Sequence, residues 1–270
     1  MANSIPAAVV QLCSRQNVAE NVKKTVSFSE RAAAAGAKVI VLPENFPYIG
    51  SLSQKVKQAE TLGRGPVQNE MVALAQRLRA YVILGGIPIR SEDPGRCFNT
   101  CIVLNPDGEI AGSYRKIHLF DIAIPDGPNF TESEFISPGE ETAICEIDGR
   151  PWGLTICYDL RFPEMYRHLV ANGVQACCVP AAFTLQTGKD HWLALLRARA
   201  IENQFYVLAA GQWGAHTQTR TSFGNSCIID PWGTVVAKAK EGEGFALADI
   251  DFDYLSQVRQ MLPALKHRRL

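Results

Sequence analysis

Short apolar runs alternate with amphipathic segments along most of the 270 residues of this chain. The apolar runs have the length of buried strands, and the segments between them repeat their apolar positions at the helical period. The predicted strands cover residues 6–12, 38–42, 81–87, 98–104, 109–114, 142–147, 151–157, 174–180, 205–210, 226–230, 234–237 and 245–250. The predicted helices cover residues 17–35, 66–79, 163–172, 191–203 and a C-terminal stretch that begins near residue 254. This alternation predicts an α/β layered sandwich of mixed sheets covered by helices.

Local residues mark several of these boundaries. Asn17 is suited to cap the first helix, and Gly36 is suited to end it. The segment Asn105-Pro-Asp-Gly108 predicts a tight hairpin turn between two strands. No repeat and no Gly/Ser-rich linker divides the series. We therefore expect one domain over residues 1–270.

Two stretches follow neither the strand period nor the helix period. The first begins at Asn45 and is rich in Pro, Tyr, Gly and Ser. The second begins after Lys116 and contains Pro125, Gly127, Pro128, Pro138 and Gly139. Loops of this length in compact domains are usually functional or disordered.

The composition is that of an ordinary soluble globular protein, with 47% hydrophobic and 20% charged residues. Lysine plus arginine (27) equals aspartate plus glutamate (27), so nothing indicates a nucleic-acid or anionic membrane partner. The N-terminal Met-Ala-Asn-Ser-Ile-Pro lacks the features of a secretory signal, and no apolar run approaches the length of a membrane span. We expect a cytoplasmic protein that acts on a small molecule.

The eight cysteines are scattered, mostly within apolar runs, at positions 13, 97, 101, 145, 157, 177, 178 and 227. No CxxC pair occurs, and the spacing of Cys97 and Cys101 lacks a second ligand pair, so structural zinc is not expected. No GxGxxG follows the first strand, and no Walker motif occurs. We expect reduced thiols and no cofactor.

One cysteine lies at a predicted strand-to-helix turn, in Gly153-Leu-Thr-Ile-Cys157-Tyr-Asp-Leu-Arg-Phe-Pro-Glu164. Such a turn exposes a thiol at a strand end and points backbone N–H groups at whatever lies beside the thiol. A helix N-terminus favours a thiolate and can hold an oxyanion, which suits a nucleophile. A buried structural cysteine at a strand end is the alternative. The turn alone leaves both interpretations open.

Glu44 and Lys116 also follow predicted strands, and open α/β sheets place their chemistry at strand ends. A carboxylate in a partly desolvated pocket, with a raised pKa, can take the proton of a thiol. A fixed ammonium and backbone N–H groups can stabilise the oxyanion of a tetrahedral intermediate. Together with Cys157, these residues form a complete set for acyl transfer.

Three motifs together resemble the nitrilase, or carbon–nitrogen hydrolase, superfamily. They are Leu-Pro-Glu44, Tyr-Arg-Lys116-Ile-His-Leu and Ile-Cys157-Tyr-Asp-Leu-Arg-Phe-Pro-Glu, in the family's order and spacing. The resemblance extends over essentially the whole chain and includes Arg-Ala-Ile-Glu202-Asn and Asp230-Pro-Trp-Gly. It implies an α-β-β-α sandwich with mixed sheets, whose subunits pair into a four-layered homodimer.

The resemblance also implies the roles of the catalytic residues. It makes Glu44 the general base, Lys116 the oxyanion-stabilising cation and Cys157 the nucleophile. Family members use a second glutamate in the loop after the lysine, and Thr131-Glu132-Ser133 matches that position. Glu132 would then position the substrate or hold Lys116. Glu134 and Glu140 lie in the same loop and are the alternatives.

The candidate substrate-binding residues are Tyr158, Arg161, Phe183, Thr184, His216 and Arg220. Arg161 could bind a substrate carboxylate or brace the turn. His118 could form a dyad with Cys157, but we favour a structural role for it. Arg197, Arg199 and Glu202 have helical spacing, which predicts a structural ion-pair network.

Within the family, residues 210–224, Asp230-Pro-Trp-Gly and the final Lys-His-Arg-Arg resemble the deaminated-glutathione amidase branch more than the omega-amidase branch. The chain stops at Leu270, where relatives commonly continue for a short tail at the dimer interface. This branch implies hydrolysis of deaminated glutathione to 2-oxoglutarate and cysteinylglycine through a cysteine acyl-enzyme.

Three other functions compete with this one. An omega-amidase would act on 2-oxoglutaramate or 2-oxosuccinamate by the same chemistry. A nitrile substrate fits the branch resemblance less well. A non-catalytic binding protein could reuse the scaffold, but the intact acid, cation and thiol positions argue against that interpretation.

Overall fold

The computed structural model describes residues 3–123 and 129–269. Pro125, Gly127 and Pro128 of the predicted loop after Lys116, and Leu270, lie outside the described residues. The helices are α1 (Val18–Ala34), α2 (Leu52–Lys57), α3 (Pro66–Leu78), α4 (Pro163–Ala171), α5 (Leu185–Thr187), α6 (Leu193–Asn203) and α7 (Phe252–Met261). None of the helices in this part of the chain is long and apolar enough to cross a membrane.

The strands fall into two large sheets and two small ribbons. They are β1 (Ser4–Gln11), β2 (Val39–Val41), β3 (Tyr81–Arg90), β4 (Cys97–Leu104), β5 (Ile110–Arg115), β6 (Asp121–Ala123), β7 (Asn129–Thr131), β8 (Ile136–Ser137), β9 (Ala143–Ile147), β10 (Arg150–Leu154), β11 (Ala176–Cys178), β12 (Tyr206–Ala209), β13 (Trp213–Ala215), β14 (Thr221–Phe223), β15 (Cys227–Ile229), β16 (Val235–Lys238) and β17 (Gly244–Asp251). Most of these segments coincide with predicted strands to within a few residues.

The first large sheet has the order β17-β1-β2-β3-β4-β5, and β8 pairs with β4. The second has the order β16-β15-β12-β11-β10-β9. In each sheet three central strands are parallel, β1-β2-β3 in the first and β10-β11-β12 in the second. The other strands pair antiparallel, except that β8 pairs with β4 in parallel. The predicted mixed sheets are therefore confirmed. Glu44 and Cys157 lie just beyond the carboxyl ends of two of the parallel strands, β2 and β10, whereas Lys116 follows the antiparallel strand β5.

The two sheets pack against each other across a shared apolar core. In β1, Ala7 and Val9 belong to the core that also contains Trp152 of the second sheet, whereas Ala8 and Val10 belong to a separate core with helices α1 and α3. This alternation follows from the two-residue period of a strand that is covered on both faces.

Helices cover the outer face of each sheet. Ala32 of α1 and Met71 of α3 pack on the first sheet. Leu169 of α4 and Leu196 of α6 join the core of the second sheet. The chain thus forms the α-β-β-α sandwich that the resemblance implied, in agreement with the predicted fold class.

The structure departs from the sequence prediction in several places. The ribbons β6–β7 and β13–β14 and the short strand β8 were not predicted. Helix α2 lies in the stretch after Asn45, where no helix was predicted. The strand expected to run to Cys157 ends at Leu154, and a 3₁₀ turn over Cys157–Arg161 precedes α4. The helix predicted from His191 is preceded by α5 and a π-helical turn over Gly188–Trp192. Short irregular turns carry no long apolar period, so their sequences resemble loops.

Candidate active site

Glu44 lies just beyond the carboxyl end of β2 and is 3% exposed. Its Oε1 accepts a hydrogen bond from the Asn99 side-chain amide at 2.8 Å, and its Oε2 accepts one from the Ala182 N–H at 2.9 Å. A Cβ on Gly86, which has φ +144°, would lie 2.7 Å from Asn99 Oδ1 and 3.3 Å from Glu44 Cγ. Only glycine fits there, so the backbone packs directly against this pair and holds the carboxylate in one orientation.

Lys116 follows β5 and is 2% exposed. Its Nζ lies 2.7 Å from Glu132 Oε2 and 3.3 Å from Glu44 Oε1. The backbone around it is also held, since Lys116 N–H donates to the Asn99 carbonyl at 2.9 Å. The ammonium therefore lies between two carboxylates, those of Glu44 and Glu132.

Glu132 begins a 3₁₀ turn over Glu132–Glu134. Besides Lys116, its Oε2 accepts the Phe120 N–H at 2.8 Å. Glu134 and Glu140, the other glutamates of this loop, are exposed. Of the three loop glutamates considered, the structure places Glu132 against the lysine.

Cys157 is the first residue of the 3₁₀ turn after β10 and is 9% exposed. Its φ of +49° lies in the left-handed region, which is strained for a non-glycine residue and common at functional turns. Its N–H donates to the Pro180 carbonyl at 2.8 Å. The N–H of the next residue, Tyr158, donates to no group within the described ranges. This geometry leaves one backbone donor free beside the thiol.

A buried aspartate holds the turn in place. Asp159 is 0% exposed, and its Oδ2 accepts the Ile156 N–H and the Tyr114 hydroxyl, both at 2.7 Å. His118 Nδ1 lies 2.7 Å from Asp159 Oδ1, and its ring stacks on Phe162 at 3.7 Å. These contacts support the structural role that we favoured for His118.

Helix α6, behind this turn, forms only part of the predicted ion-pair network. Arg199 Nη1 donates to Glu202 Oε1 at 2.9 Å, and the same guanidinium donates to the Leu160 carbonyl at 2.8 and 3.1 Å. Arg197 instead donates to the Gly233 carbonyl at 2.9 Å. Arg199 therefore braces the turn that carries the thiol.

The charges of the site set the resting protonation states. Burial would raise the pKa of Glu44, but the ammoniums of Lys116 and Lys55 outweigh it and hold that pKa below its ordinary value. Burial and the Glu44 carboxylate raise the pKa of the Cys157 thiol well above its ordinary value, against the opposing charge of Lys116. Burial would lower the pKa of Lys116, but Glu132 and Glu44 raise it overall.

Two arguments made from the sequence do not describe this site. A raised pKa was considered for the carboxylate base, and one of the two interpretations of the turn had it favour the thiolate of Cys157. The neighbouring lysines outweigh burial at the carboxylate, and the thiol is buried beside that same negative charge. At neutral pH the resting site holds an ionised Glu44, a protonated thiol and a charged Lys116. These are the states required of a base, a nucleophile awaiting activation and an electrostatic stabiliser.

These residues open onto a cavity of about 500 Å³. Its walls include all four predicted catalytic residues and five of the six candidate substrate-binding residues, Tyr158, Arg161, Phe183, Thr184 and Arg220. A volume of this order suits a small organic ligand. The catalytic and substrate-binding roles of these lining residues remain predictions.

Arg161 lies against aromatic walls. Its guanidinium carbon is 5.2 Å from the centre of the Phe183 ring and 5.8 Å from that of Tyr158, and Nη1 lies 3.3 Å from His191 Nδ1. Within residues 3–123 and 129–269, no carboxylate lies within 4.0 Å of Arg161 or Arg220. Among the described residues, both cations are therefore without a carboxylate partner and face the cavity.

His216 differs from the other candidates. It is 5% exposed, its Nδ1 donates to the Ser14 carbonyl at 2.7 Å, and it is absent from the cavity lining defined by the described residues. Burial lowers its pKa to about 4, so the ring is neutral at pH 7. The prediction that His216 helps to bind an anionic substrate is corrected, because the hairpin β13–β14 turns its side chain inward.

Sequence reasoning missed several residues of the site. Asn99 orients Glu44, and its only sequence signal was a polar side chain inside a mostly apolar strand. Asp159 stands in the cysteine motif but received no role. Lys55 of α2 lines the cavity and is 4% exposed, yet the loop-like sequence around it gave no reason to expect burial.

The arrangement can perform acyl transfer to a thiol. The ionised Glu44 can accept the Sγ proton as the thiol attacks a carbonyl carbon. The ammonium of Lys116 and the free N–H of Tyr158 can stabilise the developing oxyanion. Within residues 3–123 and 129–269, no group of three or more His, Cys, Asp or Glu side chains is placed to hold a metal ion.

Several known proteins are similar to this chain in sequence or in structure. The deaminated glutathione amidase of Synechocystis sp. is 41% identical over 265 residues, which cover 97% of each chain. The omega-amidase NIT2 of Danio rerio is 40% identical over 264 residues, covering 97% of this chain and 94% of that protein. The crystal structure of the C. elegans NitFhit protein superposes with a TM-score of 0.93 at 37% identity. That match covers 100% of this chain, which spans 66% of the NitFhit chain.

The family assignment rests on more than these individual relatives. The pattern of the carbon–nitrogen hydrolase family matches residues 6–260, which include Glu44, Lys116, Glu132 and Cys157. The sequence motifs, the sandwich of two mixed sheets and this match all lead to one assignment. This chain belongs to the carbon–nitrogen hydrolase family.

Proposed function

We propose that this chain is a cysteine-dependent amidase that hydrolyses deaminated glutathione to 2-oxoglutarate and cysteinylglycine. The observation that carries this proposal is the charge of the cavity wall. Its described lining holds four cations, Lys55, Lys116, Arg161 and Arg220, but only two anions, Glu44 and Glu132. Deaminated glutathione carries a carboxylate at each end, and the two cations in excess match these two charges.

In the proposed mechanism, Glu44 takes the Sγ proton while the Cys157 sulfur attacks the carbonyl carbon of the amide. Lys116 and the Tyr158 N–H stabilise the oxyanion of the tetrahedral intermediate. The carbon–nitrogen bond then breaks, and Glu44 returns the proton to the leaving amine. The thioester that remains is hydrolysed by a water molecule that Glu44 deprotonates. These steps release the carboxylic acid and regenerate the thiol.

The relatives support the amidase chemistry but include both substrate classes. Proteins named deaminated glutathione amidase and omega-amidase match this chain at 41% and 40% identity. An omega-amidase acting on 2-oxoglutaramate or 2-oxosuccinamate is therefore the second candidate. Such a substrate carries only one carboxylate, so it would leave one of the two excess cations unpaired.

The experiment is a side-by-side measurement of kcat/KM for deaminated glutathione and 2-oxoglutaramate. One additional charge-assisted contact, made in the transition state, favours the larger substrate by about 10- to 150-fold. We expect deaminated glutathione to have the higher kcat/KM. If the kcat/KM for 2-oxoglutaramate is instead the higher one by about tenfold or more, the preference is reversed and the omega-amidase assignment replaces this one.

We further propose that residues 1–270 form one domain that works as a cytoplasmic homodimer. The family resemblance and the net charge of zero support association, since long-range repulsion between copies is absent. Exposed apolar side chains near the end of α6 and the C-terminal end of α7 give further support: Ile201, Trp232, Met261 and Leu262. Light scattering at micromolar concentration should give twice the chain mass of 29.6 kDa or a higher multiple, and a monomer would refute the proposal.

A further inference from the structure

A second lysine lies in the cavity wall besides Lys116. Lys55 belongs to the short helix α2 and is 4% exposed. Its Nζ donates a hydrogen bond to Asn45 Oδ1 at 2.6 Å. Asn45 follows Glu44 directly and has a φ of +59°, so the side chain of Lys55 is tied to the backbone that carries the catalytic carboxylate. The position of this buried ammonium is therefore well defined.

The charge of Lys55 lacks a close partner in the described part of the chain. No carboxylate there lies within 4.0 Å of its Nζ, and its hydrogen bond to Asn45 uses one of three donors. An ammonium taken out of water without a counter-charge is unfavourable. Since Lys55 lines the cavity, an anion bound there would supply the missing partner.

The depth of Lys55 indicates which part of a substrate it meets. Lys55 is buried, whereas Arg161 and Arg220 are half-buried. In an amidase the leaving amine must depart while the acyl group is still attached to Cys157. The leaving group therefore lies toward the open side of the cavity, and the acyl group lies toward its buried end.

We infer that Lys55 is a specificity-determining residue that binds the carboxylate at the acyl end of the substrate. This inference rests on the proposed amidase function. It adds to that function a role for each cation: Lys55 binds the carboxylate of the acyl group, and the half-buried Arg161 and Arg220 face the leaving group. The substrate class that follows is an amide whose acyl group ends in a carboxylate.

A different role for Lys55 would give different kinetics. Its ammonium also interacts electrostatically with Glu44 and Glu132, and its sole role could be to offset these two negative charges. In that case the loss of Lys55 would weaken the base for every amide, with or without a carboxylate. Recognition of a carboxylate would instead affect only substrates that carry one.

The test compares 2-oxoglutaramate with its methyl ester, which has the same carbon chain and amide but lacks the acyl-end charge and adds one methyl group, by ammonia release. The variant is Lys55→Met, and the matched control is Lys57→Met, an exposed lysine on the same helix. We expect Lys55→Met to raise KM for 2-oxoglutaramate by about tenfold or more, because a charge-assisted hydrogen bond is lost. Any loss that comes from the weaker electrostatic hold on Glu44 affects the acid and the ester alike, so the measured quantity is the rise in KM for the acid beyond that for the ester. Both kinetic parameters of Lys57→Met should stay near those of the wild type.

Equal losses with the acid and the ester would overturn the inference, as would an unchanged KM for the acid. If Lys55→Met does not fold, Lys55→Gln removes the charge and keeps a donor for Asn45. Binding is also measured without turnover, as protection of Cys157 from iodoacetamide by 2-oxoglutarate. Protection that is lost in the variant supports the role of Lys55, and protection that is unchanged contradicts it. A wild-type protein that hydrolyses neither deaminated glutathione nor 2-oxoglutaramate would refute the proposed function instead, while this binding measurement still decides the role of Lys55.

Discussion

The ammonium of Lys116 lies 2.7 Å from Glu132 Oε2, closer than its 3.3 Å to Glu44. The loop glutamate therefore fixes the position of the lysine and leaves Glu44 free to exchange a proton. We expect Glu132→Gln to reduce kcat by about tenfold or more, because the ion pair with Lys116 is replaced by a hydrogen bond to an uncharged amide oxygen. Glu134→Gln, an exposed glutamate in the same turn, is the control. Equal kcat values for the two variants would argue against this role.

Glu44 is assigned the proton transfers of both half-reactions. Replacement by Gln keeps the size of the side chain and removes the base, so formation and hydrolysis of the acyl-enzyme should both slow. We expect deacylation to become the slower step and an adduct of the acyl group to accumulate. Mass spectrometry of Glu44→Gln after incubation with substrate should locate this adduct on Cys157. An adduct on any other cysteine would contradict the assignment.

The buried His216 should make stability depend on pH. Burial lowers its pKa in the folded protein to about 4, from an ordinary value of 6.5. As pH falls below 6.5, the unfolded chain takes up the proton first, so stability declines until the folded pKa is passed. The shift corresponds to about 3 kcal/mol. We expect denaturant unfolding between pH 7 and pH 4 to show this decline.

The histidine responsible can be identified by substitution. His216→Gln should reduce the slope of the free energy of unfolding against pH in this interval. His168→Gln, at an exposed position on α4, is the control. An unchanged slope in His216→Gln would show that other groups cause the decline.

Arg220 is assigned to the leaving-group end of the cavity. Arg220→Ala should lower kcat/KM for deaminated glutathione by about tenfold or more, since that substrate loses a charge-assisted contact. The value for 2-oxoglutaramate should change less, because its leaving group is ammonia. The ratio of the two values is the measurement, and Arg64→Ala, an exposed arginine outside this cavity, is the control. A parallel loss for both substrates would contradict the assignment.

Much of the fold was predictable because strand and helix periods are local. The alternation in β1 and the capping of α1 by Asn17, whose side chain accepts from the Glu20 N–H, are properties of short segments. The candidate triad was predictable because each member follows a strand of recognisable sequence. The loop glutamate was predictable only as one of three, since its approach to Lys116 depends on a 3₁₀ turn.

The remaining features of the site depend on contacts between distant segments. His216 turns inward because its ring meets the backbone of Ser14, about 200 residues earlier in the chain. Lys55 becomes buried because α2 packs over the cavity, although the segment has the composition of an exposed loop. Lys116 and Lys55 together lower the pKa of Glu44. These lysines come from different segments of the chain, so no local sequence pattern predicts their combined effect.

The most direct test of the account is product release from deaminated glutathione by the wild type and by Cys157→Ala. The wild type should release 2-oxoglutarate and cysteinylglycine in equal amounts. Cys157→Ala should lose activity by roughly three orders of magnitude or more while keeping its circular dichroism spectrum, because the nucleophile is removed. Cys13→Ala is the control and should retain activity. No release by the wild type, or substantial release by Cys157→Ala, would contradict the central claim.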